Sequence, residues 1–450
     1  SRHLSMKILF LEIDTEREWA LASVGPAYIA SYIRLHGHEA TFLRVRPEEE
    51  MHDLIACIEK EAPDMIGFSL TTRQWQRAVH VAGEIRKKLH IPVIAGGHHP
   101  TFAAEAVLQT EGFDYVCLGD GEEPVAELLD FLEKSKEISP GQIANIWVQG
   151  GSRPDIRTPL KPLDKIPFLA RDLLDERYGV AHLITQRGCP FPCTFCAAGG
   201  IRDLYKNEGY LRRRTVQDVV RELHHIKGEG PLNYIVFLDD TFTVNKDWVR
   251  EFCRIYGKKI STGFSINARV ETVDRDMLDL LAKAGCRHII YGVESGSSRL
   301  RSEILHRPVD NQRIIDVFNW TKKAGIMVTA NYMLGLPGET AEDIEQTLAL
   351  NEELQPDDFG YFVFYPYPGT RLFSLCREKH FLPENWLELP ANNRQSILNL
   401  PELTKEEIIH YYNTFTEVRK QAYMSRYGSA LSDANKAIAS KSFEESAAVG

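Results

Sequence analysis

The chain has 450 residues, about three times a typical domain of about 150, so at least two hydrophobic cores are expected. Apolar residues make up 43% and charged residues 26%, which excludes wholesale disorder and a fibrous architecture. A formal charge of -10 excludes a chain-wide basic field, and the runs Arg212 to Arg214 and Arg86 to Lys88 read as solvated faces, so no nucleic-acid partner is expected.

Ser1 to Ser5, ahead of Met6, read as a cloning remnant, because the strand-like run Lys7-Ile-Leu-Phe-Leu-Glu12 begins only after that methionine. No stretch of about 18 apolar residues and no signal-peptide layout is found, which predicts a cytoplasmic protein with no membrane span. From Met6 to about residue 135, the runs Ile8 to Leu11, Ala40 to Leu43, Met65 to Ser69, Val93 to Gly96 and Tyr115 to Leu118 read as strands. Helical periods lie between them at Pro26 to His36, Glu48 to Glu61 and Val79 to Leu89. That alternation predicts a doubly wound, flavodoxin/Rossmann-like parallel sheet over residues 6–135, with ligands beyond the carboxyl ends of its strands.

Residues 136–178 are rich in Pro, Gly and charge around one apolar stretch, Ile143 to Val148, and read as a linker with an edge strand. A second alternation follows, with strand-like runs at Ala181 to Thr185, Tyr234 to Leu238, Gly263 to Asn267, His288 to Gly292, Val328 to Leu334 and Tyr361 to Tyr365. It predicts a partial (β/α)6 TIM-like barrel over residues 179–389, whose catalytic groups belong at strand carboxyl ends. Residues 390–429 read as helical, residues 430–450 as a flexible tail rich in Ala and Ser, and no internal repeat is evident.

Eight cysteines are too few for a disulfide framework in so long a chain, and three of them crowd into Arg187-Gly-Cys-Pro-Phe-Pro-Cys-Thr-Phe-Cys-Ala-Ala-Gly-Gly200, just after a predicted strand. Cys189, Cys193 and Cys196 on one loop can reach three irons of a cubane cluster and leave the fourth open. Structural zinc wants four ligands in two separated pairs, and no second CxxC exists, so only His182 or a distant cysteine could complete it. Cys57, Cys117, Cys253, Cys286 and Cys376 are scattered and read as buried, inert thiols.

The Cys-x3-Cys-x2-Cys loop, with aromatic Phe195 before its last cysteine, resembles the signature of the radical SAM superfamily. The resemblance extends through Val236-Phe-Leu-Asp-Asp-Thr-Phe, Ser265-Ile-Asn-Ala-Arg-Val270, Gly292-Val-Glu-Ser-Gly296, Leu334-Gly-Leu-Pro-Gly-Glu-Thr340 and Tyr365-Pro-Tyr-Pro-Gly-Thr-Arg371. It implies a [4Fe-4S] cluster whose open iron binds S-adenosyl-L-methionine (SAM), reductive cleavage to a 5'-deoxyadenosyl radical, and an external electron donor such as flavodoxin or ferredoxin. Asp239 or Asp240 would then take the SAM amino group, their alternative being a helix N-cap before Thr243 to Phe252. Asn267, Arg269 and Glu294 would hold ribose hydroxyls and the SAM carboxylate, or else pair as buried ions at the barrel rim. Leu334 and the turn Gly335 to Gly338 would back the adenine.

Four amino-terminal segments resemble the cobalamin-binding domain fused to such barrels: Val24-Gly-Pro-Ala-Tyr-Ile-Ala, Asp64-Met-Ile-Gly-Phe-Ser-Leu-Thr, Ile94-Ala-Gly-Gly-His-His-Pro-Thr and Cys117-Leu-Gly-Asp-Gly-Glu-Glu. The resemblance makes Ser69, Thr71, Thr72, Gly96, Gly97, Gly119, Gly121 and Glu122 candidates for the cobalamin nucleotide tail, with His98 and His99 at the tail or the corrin edge, although the fold alone also allows flavin. No Asp-x-His-x-x-Gly segment follows the first strand, so the lower cobalt face is expected without a histidine, and the loop Thr72 to Arg77 is the candidate cover, with Arg73 and Trp75 either facing the cobalt or standing as surface residues at a helix start.

Together the two resemblances imply a cobalamin-dependent radical SAM enzyme acting on a small-molecule or natural-product substrate. Methyl transfer to an unactivated carbon through methylcobalamin is the leading expectation. Radical cyclisation, ring contraction or another rearrangement is the alternative, and a cobalamin-binding sensor a more distant one. Phe362, Phe364, Tyr365, Tyr367, Trp386 and Tyr411 are candidates to shape the substrate pocket.

Overall fold

The computed structural model describes residues 5–15, 23–134, 139, 141–174 and 176–428; the tail read at 430–450 and most of the amino-terminal remnant lie outside them. The described residues form two compact units, one drawn from residues 5–178, 196–215 and 367–369, the other from residues 179–195, 216–366 and 370–428.

In the first unit five parallel strands, β1 (Lys7–Ile13), β2 (Glu39–Val45), β3 (Met65–Ser69), β4 (Val93–Gly96) and β5 (Tyr115–Cys117), lie in the order β2-β1-β3-β4-β5. This is the flavodoxin-like order, with its switch point between β1 and β3. The stretch read as a linker supplies β6 (Ile146–Val148), antiparallel to β5 at the edge. Ile8, Leu9, Phe10 and Leu11 are all buried along β1, as a sheet covered by helices on both faces requires. The helix Met51–Glu61 buries Leu54 and Ile58, which leaves Cys57 exposed on its outer side and corrects the expectation of a buried thiol there.

The second unit carries β7 (Val180–Leu183); two two-residue strands, β8 (Gln186–Arg187) and β9 (Arg212–Arg213), stand outside both main sheets. β10 (Tyr234–Phe237), β11 (Gly263–Ala268), β12 (Cys286–Glu294), β13 (Met327–Leu334) and β14 (Asp358–Val363) then follow β7 side by side, all parallel. Helices such as Val216–Glu229, Lys246–Lys259 and Arg275–Ala284 return the chain between strands. This is the partial (β/α)6 barrel in sequential order.

Alternate strand residues divide the sheet's faces. Ile235, Phe237, Phe264, Ile266, Ile289, Tyr291, Val328, Ala330 and Tyr332 join Phe252, Leu278 and Phe318 of the helices in one core. On the opposite face Val236, Asn267, Ile290, Glu294, Asn331 and Met333 are only half-buried. The barrel interior is therefore partly polar and open to a guest, while the structural core sits between sheet and helices. The long helix Lys405–Tyr427, begun by a Thr404/Glu407 capping box, adds Ile408, Tyr412 and Phe415 to that core.

Candidate active site

The cysteine loop leaves β7 under the control of one carboxylate. Asp239, 1% exposed at the end of β10, accepts the Thr185 N–H at 2.8 Å, the Thr185 hydroxyl at 2.9 Å and the Gln186 N–H at 2.5 Å. Its charge satisfies the chain just where it turns toward Cys189, so its first role is to set that turn. Neither Asp239 nor Asp240 caps a helix: the helix starts at Lys246 with Asn245 accepting the Trp248 N–H, which corrects the N-cap alternative by several residues. Asp240 is exposed beside the loop, where its charge opposes ionisation of the buried Cys189.

The loop thiols meet donors suited to sulfur carrying negative charge. Burial pushes the Cys189 thiol up, against the opposing pull of the Phe191 N–H and of the Thr241 hydroxyl, which lies 3.7 Å from Sγ. Cys193 Sγ accepts from Arg269 Nη1 at 2.8 Å. Thr194, between them and the last cysteine, donates its hydroxyl to Ile304 O at 2.6 Å and accepts the Leu372 N–H at 3.0 Å. Phe195 and Cys196 are half-buried, and Cys196 immediately precedes the helix Ala197–Leu204. Among the described residues no three Cys, His, Asp or Glu side chains converge as ligands of a single ion. A cubane needs no such convergence, because its thiolates bind separate irons. Three thiols on one loop, with Thr241 beside Cys189 and Arg269 donating to Cys193, suit a cubane held through three of its irons. By contrast, burial pushes the thiols of Cys117, Cys253 and Cys376 up to about 12, and that of Cys286 up as well.

Arg269 begins a chain of charges at the strand ends. Its Nη2 donates to Glu271 Oε1 at 2.6 Å, Arg307 Nη2 stands 3.4 Å from Glu271 Oε2, and Arg307 Nη1 donates to Glu294 Oε1 at 2.9 Å. The rim ion pairing expected for Arg269 and Glu294 is thus present, through two residues the sequence reading missed. Glu271 carried a signal, two positions from Arg269, whereas Arg307 lies in a stretch without a motif. Glu294 has φ +70°, and burial raises its carboxyl although Arg307 and Arg269 oppose the rise. Its strained backbone ends β12 at a register shift that turns the side chain onto Arg307. Asn267 donates to Asp239 O at 3.2 Å.

Leu334 is fully buried behind the turn that ends β13. Buried Glu339 organises the turn, with Oε2 accepting the Gly335 N–H at 2.5 Å and the Leu336 N–H at 3.1 Å. Of the aromatic candidates, Phe362 is 43% exposed while Phe364 and Tyr365 are buried. Trp386 packs edgewise on Phe373 with ring centroids 5.1 Å apart, and Tyr411 packs partly buried against the core.

In the first unit the candidates separate into inward and outward groups. Thr72 to Gln74 form a helical turn leading directly into the helix Trp75–Lys88, not the loop expected there, because Thr71 and Gln74 make a reciprocal capping box. Gln74 Nε2 also donates to Ile13 O at 2.9 Å, pinning the turn across the switch point. Trp75 points inward, stacked on His99 at 4.8 Å and on Phe113 at 5.6 Å. His99 Nδ1 pairs with the Thr72 hydroxyl at 3.0 Å, its Nε2 is buried without a partner, and burial lowers its pKa to about 4.

Gly97, at φ +94°, passes so close to Leu70 that a Cβ would lie 2.8 Å from that residue's backbone. Gly119 lies under Tyr205, Gly121 faces Ile29, and Glu122 is buried. Ser69, Thr71, Arg73 and His98 remain exposed at the ends of β3 and β4, and a Cβ on Gly96 would meet nothing nearer than Cys117 at 3.7 Å. A Cβ on Gly96 would thus be in ordinary contact with Cys117, and the exposed polar groups beside it suit a nucleotide-tailed cofactor.

Comparison with known proteins agrees with this geometry. Residues 183–350 match the Radical SAM superfamily and residues 16–129 the B12 binding domain. An uncharacterized methyltransferase of Pyrococcus horikoshii is 30% identical, covering 94% of this chain and 92% of its own. The cytidylyl-2-hydroxyethylphosphonate methyltransferase of Streptomyces wedmorensis is 24% identical, covering 89% and 87%. The anaerobic magnesium-protoporphyrin IX monomethyl ester cyclase of Rubrivivax gelatinosus is 26% identical, covering 83% and 70%. The solved structure of OxsB, a cobalamin-dependent S-adenosylmethionine radical enzyme, aligns with a TM-score of 0.74 at 15% identity, covering 99% of this chain and 72% of that one. Both domain matches in one chain and a relative 30% identical over nearly its full length place the protein in the cobalamin-binding radical SAM enzyme family.

Proposed function

We propose that the protein is a methyltransferase that uses SAM and cobalamin to alkylate an unactivated carbon of a small-molecule substrate. The observation that carries this reading is the full-length likeness to a methyltransferase, 30% identical over 94% of the chain, in a chain with the complete cysteine triplet. When bound, the [4Fe-4S] cluster and SAM supply a hydrogen-abstracting 5'-deoxyadenosyl radical, and cobalamin supplies a methyl carrier.

Cys189, Cys193 and Cys196 would hold the cluster, with Thr241 and Arg269 satisfying sulfur and Asp239 fixing the loop's start. Asn267 and Glu294 would orient the SAM ribose, exposed Asp240 its amino group, and the Leu334 turn its adenine. Ser69, Thr71, Arg73, Gly96 and His98 would meet cobalamin. Half-buried Val236, Ile290 and Met333 inside the barrel would line the substrate space and exclude water from it. An electron donor such as flavodoxin or ferredoxin would reduce the cluster. No helix among the described residues is long and apolar enough to cross a membrane.

A second reading, radical ring formation without methyl transfer, is favoured by the 26% identity to the cyclase. Anaerobic incubation with SAM, reductant, cobalamin and a panel of candidate small molecules separates the two. Methyl transfer releases S-adenosylhomocysteine together with 5'-deoxyadenosine; rearrangement releases deoxyadenosine without the homocysteine product. Neither product from fully loaded protein would sink both readings.

A further inference from the structure

The guanidinium of Arg269 is held by three partners at once. Its Nη1 donates to Cys193 Sγ at 2.8 Å, its Nη2 to Glu271 Oε1 at 2.6 Å, and its Cζ lies 3.9 Å from the ring centroid of Phe191, two residues before that cysteine. The residue is 9% exposed and its neighbour in the charge chain, Arg307, 2% exposed. A guanidinium clasped in this way is fixed in direction, with its positive edge on one particular sulfur. The compensating carboxylate of Glu271 takes the other terminal nitrogen of the same guanidinium, and Arg307 ties it to Glu294.

From this arrangement we propose that Arg269 is a positioning residue that raises the reduction potential of the cluster by hydrogen bonding to Cys193, and that Glu271 limits the rise. The inference rests on the reading that Cys189, Cys193 and Cys196 hold a [4Fe-4S] cluster. Reduction adds one electron, taken from an added titrant such as dithionite, and makes or breaks no covalent bond. The extra negative charge spreads onto the thiolates. A cationic donor on one of them stabilises the reduced state more than the oxidised state, which shifts the potential upward. A carboxylate behind that donor works in the opposite sense, so the two side chains should move the potential in opposite directions.

The test is an anaerobic redox titration of reconstituted protein without SAM, followed by the electron paramagnetic resonance signal of the reduced cluster. Arg269→Met is expected to lower the reduced-to-oxidised ratio about tenfold at the wild-type midpoint, or about 59 mV for one electron. Glu271→Gln is expected to raise that ratio, and Arg269→Lys to recover part of the loss. An unshifted midpoint in Arg269→Met, or shifts of the same sign in Met and Gln variants, overturns the proposal. Should Arg269→Met fail to keep a cluster, the Glu271→Gln midpoint decides, and a value equal to or below wild type overturns it. Loss of the cluster from both, with circular dichroism unchanged, makes Arg269 a residue that retains the cluster rather than tunes it and also overturns the proposal. Wild-type protein that takes up no iron and sulfide on reconstitution refutes the cluster reading itself, a separate result from a cluster with an unmoved potential.

Discussion

The hydroxyl of Tyr205 accepts the backbone N–H of Asp120 at 2.6 Å, directly above Gly119. Arg212 secures the same residue from its other side, donating to Asp120 Oδ2 at 2.7 Å. Tyr205 follows the helix that starts just after Cys196. The turn after β5 is therefore built to receive the segment that follows the third cysteine, and Gly119 owes its lack of a side chain to that phenol.

Tyr205→Phe should cost about 1 kcal/mol, since it takes the partner from a partly buried N–H, and should accelerate hydrogen exchange at the Asp120 amide. Gly119→Ala should cost more, because its φ is +75° and the new Cβ would stand 2.2 Å from the Tyr205 oxygen. In the Tyr205→Phe background that second penalty should shrink by about 1 kcal/mol, as expected for groups in contact. Denaturation midpoints of the four proteins in the cycle measure the coupling; strictly additive costs would show that the contact does not constrain the turn.

Asp239→Asn should loosen the start of the cysteine loop. The carboxylate accepts two backbone N–H groups on Oδ1 and the Thr185 hydroxyl on Oδ2; an amide keeps one oxygen for the two N–H groups but must reverse the third bond, its NH2 donating to the hydroxyl, and the two remaining bonds lose their charge assistance. A cost of about 1–2 kcal/mol is expected. Because Gln186 is only three residues before Cys189, iron retained after reconstitution should fall with stability. Wild-type iron content together with a wild-type denaturation midpoint would refute this role.

The strand-helix alternation and the cysteine spacing were legible because both are local patterns, of period and of ligand type. The barrel order follows from them, since consecutive parallel strands joined by helices have few alternatives. Partnerships between distant segments were not legible. Arg307 reaches Glu294 and Glu271 from a stretch without a motif, and Tyr205 meets Asp120 across 85 positions. Glycines misled for a related reason. Gly119 and Gly121 suggest close approach of a cofactor, yet the approaching groups are Tyr205 and Ile29. Trp75 misled through the capping box at Thr71, which starts the helix early and rotates the indole onto His99 and Phe113.

Glu339 makes the barrel unit's stability depend on pH. The side chain is fully buried, and burial raises its pKa from 4.5 to about 8, against the pull of the Leu336 and Gly335 N–H groups. Oε2 takes those two bonds, while Oε1 has no partner, which suits a carboxyl whose proton sits on Oε1 and spares the core a charge. Between pH 4.5 and about 8 the folded chain keeps a proton that the unfolded chain has released. The stabilising contribution is therefore complete below the unfolded pKa and declines as pH rises, by up to about 1.4 kcal/mol per pH unit. Glu339→Gln preserves one oxygen for both N–H groups and cannot ionise, but its NH2 group takes the place of the partnerless Oε1, so it should carry a cost of about 1–3 kcal/mol that is nearly constant with pH. Relative to wild type, the variant should gain stability between about pH 5 and pH 8, measured as the difference in denaturation midpoints at each pH. A difference that stays flat across that range would mean that Glu339 does not hold its proton in the folded state.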